Sequence, residues 1–122
     1  MMMNRNLRSL VEQMQGNRRV LSEGGVTFYT IGRGSDAKAA FANARARAAA
    51  NMDDEERDEG YSGTIFEKRS FVLIPLPKGA DAREYAGELI KKEDERVDDK
   101  WGPAGAIDIG NGGFLFFGWA SS

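Results

Sequence analysis

The stretch Gly110-Asn111-Gly112-Gly113-Phe114-Leu115-Phe116-Phe117-Gly118-Trp119-Ala120 decides how this chain of 122 residues folds. A Gly-Asn-Gly-Gly connection separates two apolar runs, residues 104–109 before it and 114–120 after it, which is the sequence form of a β-hairpin. Side chains alternate across a strand, so Phe114 and Phe116 face one side while Leu115, Phe117 and Trp119 face the other. A strand that is apolar on both sides needs cover on both, from other elements or from a second subunit. Upstream, Trp101-Gly102-Pro103 reads as a stop and turn.

Working back from the hairpin, Ala82, Tyr85, Ala86, Leu89 and Ile90 fall on one face of a helix. Asp81 and Glu84 have the spacing of a capping-box variant at its start. The same wheel puts Glu93 in the apolar stripe and Val97 beside it, so burial weakens after Lys92. Before that helix, Gly79 follows Pro75 and Pro77, which cannot donate ladder hydrogen bonds and so end a strand or mark a sheet edge. Residues 64–68 and 70–76 read as strands, entered through the Gly-bracketed turn of Glu59-Gly60-Tyr61-Ser62-Gly63-Thr64.

Further upstream, nine of the fourteen residues in 37–50 are alanine, so a helix is expected over about 36–57 with Ser35 as its N-cap. Ala37, Phe41, Ala44, Ala48 and Met52 share its face. That face is small and permits close approach to a sheet or a second helix. Lys38 and Arg45 lie on one flank and Arg47 on the other. Val26 to Ile31 reads as a strand, and Leu7, Leu10, Val11 and Met14 mark a short amphipathic helix ending near Gly16. The expectation is a single α+β domain over 1–122, in the order α-β-α-β-β-α-β-β. Its mostly antiparallel sheet is covered by helices on one side. The segment 1–16 and the two-sided last strand point to a homo-oligomer.

Composition removes several chemistries. The chain has no cysteine and no histidine, so thiolate catalysis, disulfides and a Ser-His-Asp mechanism are excluded, and a zinc site is not expected. Lys and Arg number 17 against 19 Asp and Glu, for a net charge of −2. No global basic field attracts nucleic acid. No run approaches the roughly 18 apolar residues of a membrane span. The expectation is a cytoplasmic protein with no membrane partner, no cofactor and no metal.

Two turns carry the candidate site. Gly32-Arg33-Gly34-Ser35 lies between a strand and a helix N-terminus, where free amides and the helix dipole favour an anion, and Arg33 adds a bidentate donor. It lacks the Lys-Ser/Thr of a P-loop and the third glycine of a dinucleotide fingerprint, and Asp36 places a negative charge in the first turn. The second turn supplies the hydroxyls of Tyr61, Ser62 and Thr64, with Glu67 and Lys68 at the far end of the strand. Lys38, Arg45, Lys68 and Arg69 join Arg33 in a basic pocket only if the long helix crosses that strand. Glu67, Asp108 and Glu93 are the carboxylates considered for catalysis, but no pair has a spacing that defines a mechanism, so no catalytic residue is assigned. The acidic run Asp53, Asp54, Glu55, Glu56, Asp58 and Glu59 forms a separate surface.

At Gly60-Tyr61-Ser62-Gly63-Thr64-Ile65 with Glu67-Lys68, and again at Phe116-Phe117-Gly118-Trp119-Ala120, the chain resembles small uncharacterised bacteriophage-encoded proteins over roughly residues 36–120. The resemblance implies a compact accessory protein that binds host components or small signalling molecules in the host cytoplasm. The leading expectation is non-enzymatic capture of a small anionic, nucleotide-like ligand by Arg33, Ser35, Tyr61, Ser62, Thr64 and Lys68. The first alternative is inhibition of a host anti-phage defence complex through the acidic surface, acting as a mimic of nucleic acid charge. The second is a small hydrolase or transferase using a carboxylate.

Overall fold

In the computed structural model, residues 25–53, 55 and 62–121 are described. Strand β1 (Gly25–Arg33) leads to helix α1 (Ala37–Ala50). A single 3₁₀ turn (Ile65–Glu67) then precedes the short strand β2 (Phe71–Leu73). Helix α2 (Ala82–Lys91) and strands β3 (Ala104–Gly110) and β4 (Gly113–Ser121) complete the chain. The expected helix near 7–14 lies outside the described residues.

The hairpin forms as read. Gly110 pairs with Gly113 across a two-residue loop in which Asn111 and Gly112 have φ of 56° and 77°. Both central residues are left-handed, the geometry whose twist matches that of the flanking strands. The sheet order is β1-β4-β3-β2, antiparallel at β1/β4 and β4/β3 and parallel at β3/β2. A parallel neighbour needs a crossover, which α2 supplies between β2 and β3. The α+β class and the mostly antiparallel sheet therefore stand as expected.

The helices, however, lie on opposite faces of the sheet. Phe114, Phe116 and Ala120 join Phe28, Ala40, Phe41, Ala44 and Ile65 in one core, under α1. Leu115 and Phe117 join Ala86, Leu89, Ile90, Ile107 and Val97 in the other, under α2. Phe116 and Phe117 are both fully buried, although they point in opposite directions. The two-sided apolar character of β4 is thus satisfied within one chain and no longer argues for a second subunit.

The alanine face of α1 does what its size permits. A Cβ added at Gly32 would lie 2.4 Å from the Ala40 carbonyl oxygen and 2.9 Å from the Ala44 Cβ. Helix and strand therefore approach to a distance that only glycine tolerates. The helix starts one residue later than expected. Asp36, rather than Ser35, is the N-cap, its Oδ1 accepting from the Ala39 amide at 2.8 Å. It stops at Asn51, short of residue 57. α2 matches its expected face, and Asp81 caps it by accepting from the Glu84 amide at 3.0 Å. Glu93 does not continue the stripe: it takes φ 59° just past the helix, and the chain folds back to bury Val97.

The expected strands over 64–68 and 70–76 are corrected to the 3₁₀ turn and the three residues of β2. Thr64 caps the turn, its hydroxyl accepting from the Phe66 amide, and this bends the chain where a strand would run straight. Pairing with β3 continues one residue past β2, through the Ile74 amide to the Ala106 carbonyl, until Pro75. No helix among the described residues is long and apolar enough to cross a membrane.

Candidate functional site

The residues around the 3₁₀ turn form a closed set of hydrogen bonds. Glu67 folds back so that Oε2 accepts from the amides of Ser62 at 2.7 Å and Gly63 at 2.6 Å. Its Oε1 accepts from the Ser121 amide at 2.7 Å, which ties the turn to the end of β4. A carboxylate holding three backbone donors is a charge-assisted brace. The Ser62 and Thr64 hydroxyls bond each other at 2.7 Å. Tyr61 lies outside the described residues.

Lys68 is buried, with 1% of its surface exposed. Its Nζ donates to the carbonyls of Asp99 at 3.2 Å, Lys100 at 3.0 Å and Gly102 at 2.9 Å. An ammonium has three N–H donors, so all are spent on the loop leading into β3. Burial lowers its pKa to about 8, against the opposing pull of Asp99 and Glu67. It carries charge at neutral pH but offers no donor to a ligand. The sequence reading, which counted it as an accessible cation, is corrected here.

The Gly32–Asp36 turn is also largely occupied. The Gly34 amide donates to the Gly112 carbonyl at 3.0 Å, and the Asp36 carboxylate already sits on the first turn of α1. Asn43 reaches back to the Arg33 carbonyl at 2.7 Å. The side chains of Arg33 and Ser35 are exposed.

Within one chain the two halves of the expected site do not meet. Gly63 packs beside Val26, where an added Cβ would lie 3.1 Å from Val26 Cγ2, whereas Arg33 ends the same strand beside Gly113. Arg33 lies seven residue steps along the strand from Val26, about 23 Å at roughly 3.3 Å per step. The basic pocket does not assemble either. Arg45 lies over the Phe66 ring at 5.0 Å and donates to the Phe66 carbonyl at 2.9 Å, while Lys38 and Arg69 are exposed.

The catalytic candidates fare no better. Glu67 is spent as a brace, Glu93 is exposed past α2, and exposed Asp108 accepts from the Gly110 amide at 2.8 Å within its hairpin. No group of three or more potential metal ligands occurs among the described residues. Of the acidic run, Asp53 and Glu55 are described and exposed, while Asp54, Glu56, Asp58 and Glu59 lie outside the described residues. Comparison with protein-family models, curated proteins and solved structures found no match.

Sequence reasoning passed over Asn43 and placed Arg47 on the flank of the helix without a role. Both reach the outer edge of β1: Asn43 donates to the Arg33 carbonyl and Arg47 to the Ile31 carbonyl. Their i, i+4 spacing on the flank of α1 is visible in the sequence, but its use depends on the helix lying along the strand.

Proposed function

We propose that this protein is a non-enzymatic module that binds another protein. The observation that carries the reading is the state of Lys68. The cation at the centre of the sequence-selected site spends every donor on the carbonyls of Asp99, Lys100 and Gly102. Glu67, Ser62 and Thr64 are engaged in the same internal way. Among the described residues, what remains is surface: the outer edge of β1 at Thr27 and Tyr29 and the exposed side chains of Ile31 and Leu73. The resemblance to phage accessory proteins adds a class of partner, a host protein.

A test uses the tagged full chain to capture a partner from host lysate, followed by calorimetry with that partner purified. Saturable binding is the expected result, with no nucleotide raising the melting temperature. The small-anion reading keeps one specific support, the exposed Arg33 and Ser35 beside the α1 N-terminus. It is tested by melting the protein with mononucleotides, dinucleotides and cyclic oligonucleotides. A ligand at 100 times its Kd stabilises by about 2.7 kcal/mol, and such a shift would replace the protein-partner reading.

A further inference from the structure

We propose that the open half of the β1 edge accepts an extended acidic segment of another protein as a fifth strand. This inference rests on the protein-binding reading above and names the surface and the chemistry of the partner.

The orientation of the edge follows from its guards. Asn43 and Arg47 on α1 reach the carbonyls of Arg33 and Ile31, so those carbonyls point away from β4. Backbone groups alternate in direction along an antiparallel strand, so the N–H and C=O of Thr27 and Tyr29 point to the same outer edge. No hydrogen bond from a described residue reaches them. Among the described residues the guards stop at Arg47. One helical turn further on, Asn51 donates its side-chain amide to the Arg47 carbonyl at 3.2 Å instead, and α1 ends there. An unguarded strand edge is a template for main-chain pairing.

Charge selects the occupant. Tyr29, Ile31 and Arg33 point to the α2 face, as do their partners Phe117 and Leu115 on β4. The Arg83 guanidinium lies over the Tyr29 ring, 3.3 Å from its centroid, and Arg33 ends the row. Ile31 between them is 45% exposed. Neither Arg83 nor Arg33 forms an ion pair with a described residue. The row therefore reads cation, apolar, cation at alternate positions. An added strand that matches it carries carboxylate, apolar and carboxylate side chains at alternate positions. Its backbone pairs at Thr27 and Tyr29, and its acidic side chains run on toward Arg83 and Arg33.

The probe is a labelled nonapeptide, Thr-Glu-Thr-Val-Thr-Glu-Thr-Thr-Thr, long enough to reach Thr27 with its Glu, Val and Glu opposite Arg33, Ile31 and Tyr29, titrated with the full chain by fluorescence anisotropy at low salt. A Lys-for-Glu peptide is the control. The acidic peptide should bind at least tenfold more tightly, and added salt should weaken it. N-methylation of its amides at one alternate set should abolish binding, and at the other set should not. Thr27→Pro removes an outward N–H and no ladder bond, and should cost at least tenfold. The pair Arg33→Glu and Arg83→Glu should reverse the preference toward the lysine peptide. Equal binding of both peptides, or indifference to both N-methylated forms, overturns the proposal without relying on any variant. So does exchange protection of the Thr27 and Tyr29 amides in the free chain. If that protection is independent of concentration, the chain's own residues fill the edge, and if it rises with concentration, a second copy does. A captured protein whose binding survives Thr27→Pro would leave the protein-binding reading standing and sink the edge assignment alone.

Discussion

The sheet has two edges, and they are closed by different means. β2 pairs with β3 over three residues and one further amide, and is then cut off by Pro75, with Pro77 close behind. Proline carries no N–H, so pairing along that edge is stopped by covalent structure past Ile74, and no motion of neighbours extends it. β1 runs for nine residues without a proline, and its outer carbonyls at Ile31 and Arg33 are covered, among the described residues, by side chains of α1. Side-chain hydrogen bonds are exchangeable for other partners at little cost. The contrast teaches that a short proline-stopped edge resists association, while a long edge held by Asn and Arg keeps association available.

The change that breaks this contrast most strongly is Gly32→Ala. Its Cβ would collide with the Ala40 backbone oxygen, and backbone cannot turn aside as a side chain can. α1 must lift from β1, at a cost of about 3 kcal/mol in denaturant unfolding. Because Asn43 and Arg47 ride on α1, their bonds to the Arg33 and Ile31 carbonyls should loosen in the same variant, read as faster exchange of the Asn43 side-chain amide. Loss of stability with that side-chain amide still slow to exchange would show that the guards do not depend on the close helix contact.

On the β2 side, the expected effect is a pH dependence. The folded pKa of Lys68 is about 8, below the unfolded lysine value of roughly 10.4. Between these values the unfolded chain holds more protons than the folded one, so stability rises with pH through that window. Relative to Lys68→Met, the native chain should gain up to about 3 kcal/mol between pH 8 and 10.4, at 1.36 kcal/mol per pKa unit. Parallel stability curves for the two proteins would mean that the buried ammonium is not strained by its surroundings.

Glu67→Gln probes the β1 end of the brace. The amide side chain must present a donor where the carboxylate accepted from Ser62 and Gly63 or from Ser121, at a cost of about 2 kcal/mol. Exchange should quicken at Ser121, whose residue pairs with Gly25 at the start of β1. A variant as stable as the native chain would remove the brace from the account of how the open half of the edge is held.

The hairpin, the α2 face and the small face of α1 were legible because each is written in local spacing: the two left-handed residues Asn111 and Gly112, the i, i+3, i+4 pattern from Ala82 to Ile90, and the alanines over 37–50. The site was not, because its residues are placed by tertiary decisions. Lys68 reads as a surface cation until the loop 99–102 is laid over it, and Glu67 reads as a strand residue until its side chain turns back to Ser62 and Gly63. The parallel pairing of β2 with β3 was hidden for the same reason. Nothing in Phe71-Val72-Leu73 specifies the direction of its neighbour, which α2 fixes by carrying the chain back across the sheet.

The smallest expected effect on stability is the most direct test of the contrast. Arg47→Ala removes one exposed side-chain donor from the Ile31 carbonyl, so unfolding should shift by only about 0.5 kcal/mol. Its consequence lies at the edge. With the Ile31 carbonyl uncovered, the open stretch extends from Tyr29 to Ile31, and a paired strand gains one further backbone contact. The acidic nonapeptide should then bind no more weakly through its backbone, while losing whatever attraction Arg47 contributed. Methylating the amide opposite Ile31, harmless with the native chain, should become costly with the variant. If that methyl group is tolerated equally by both proteins, Arg47 does not mark the boundary between the closed and open halves of β1.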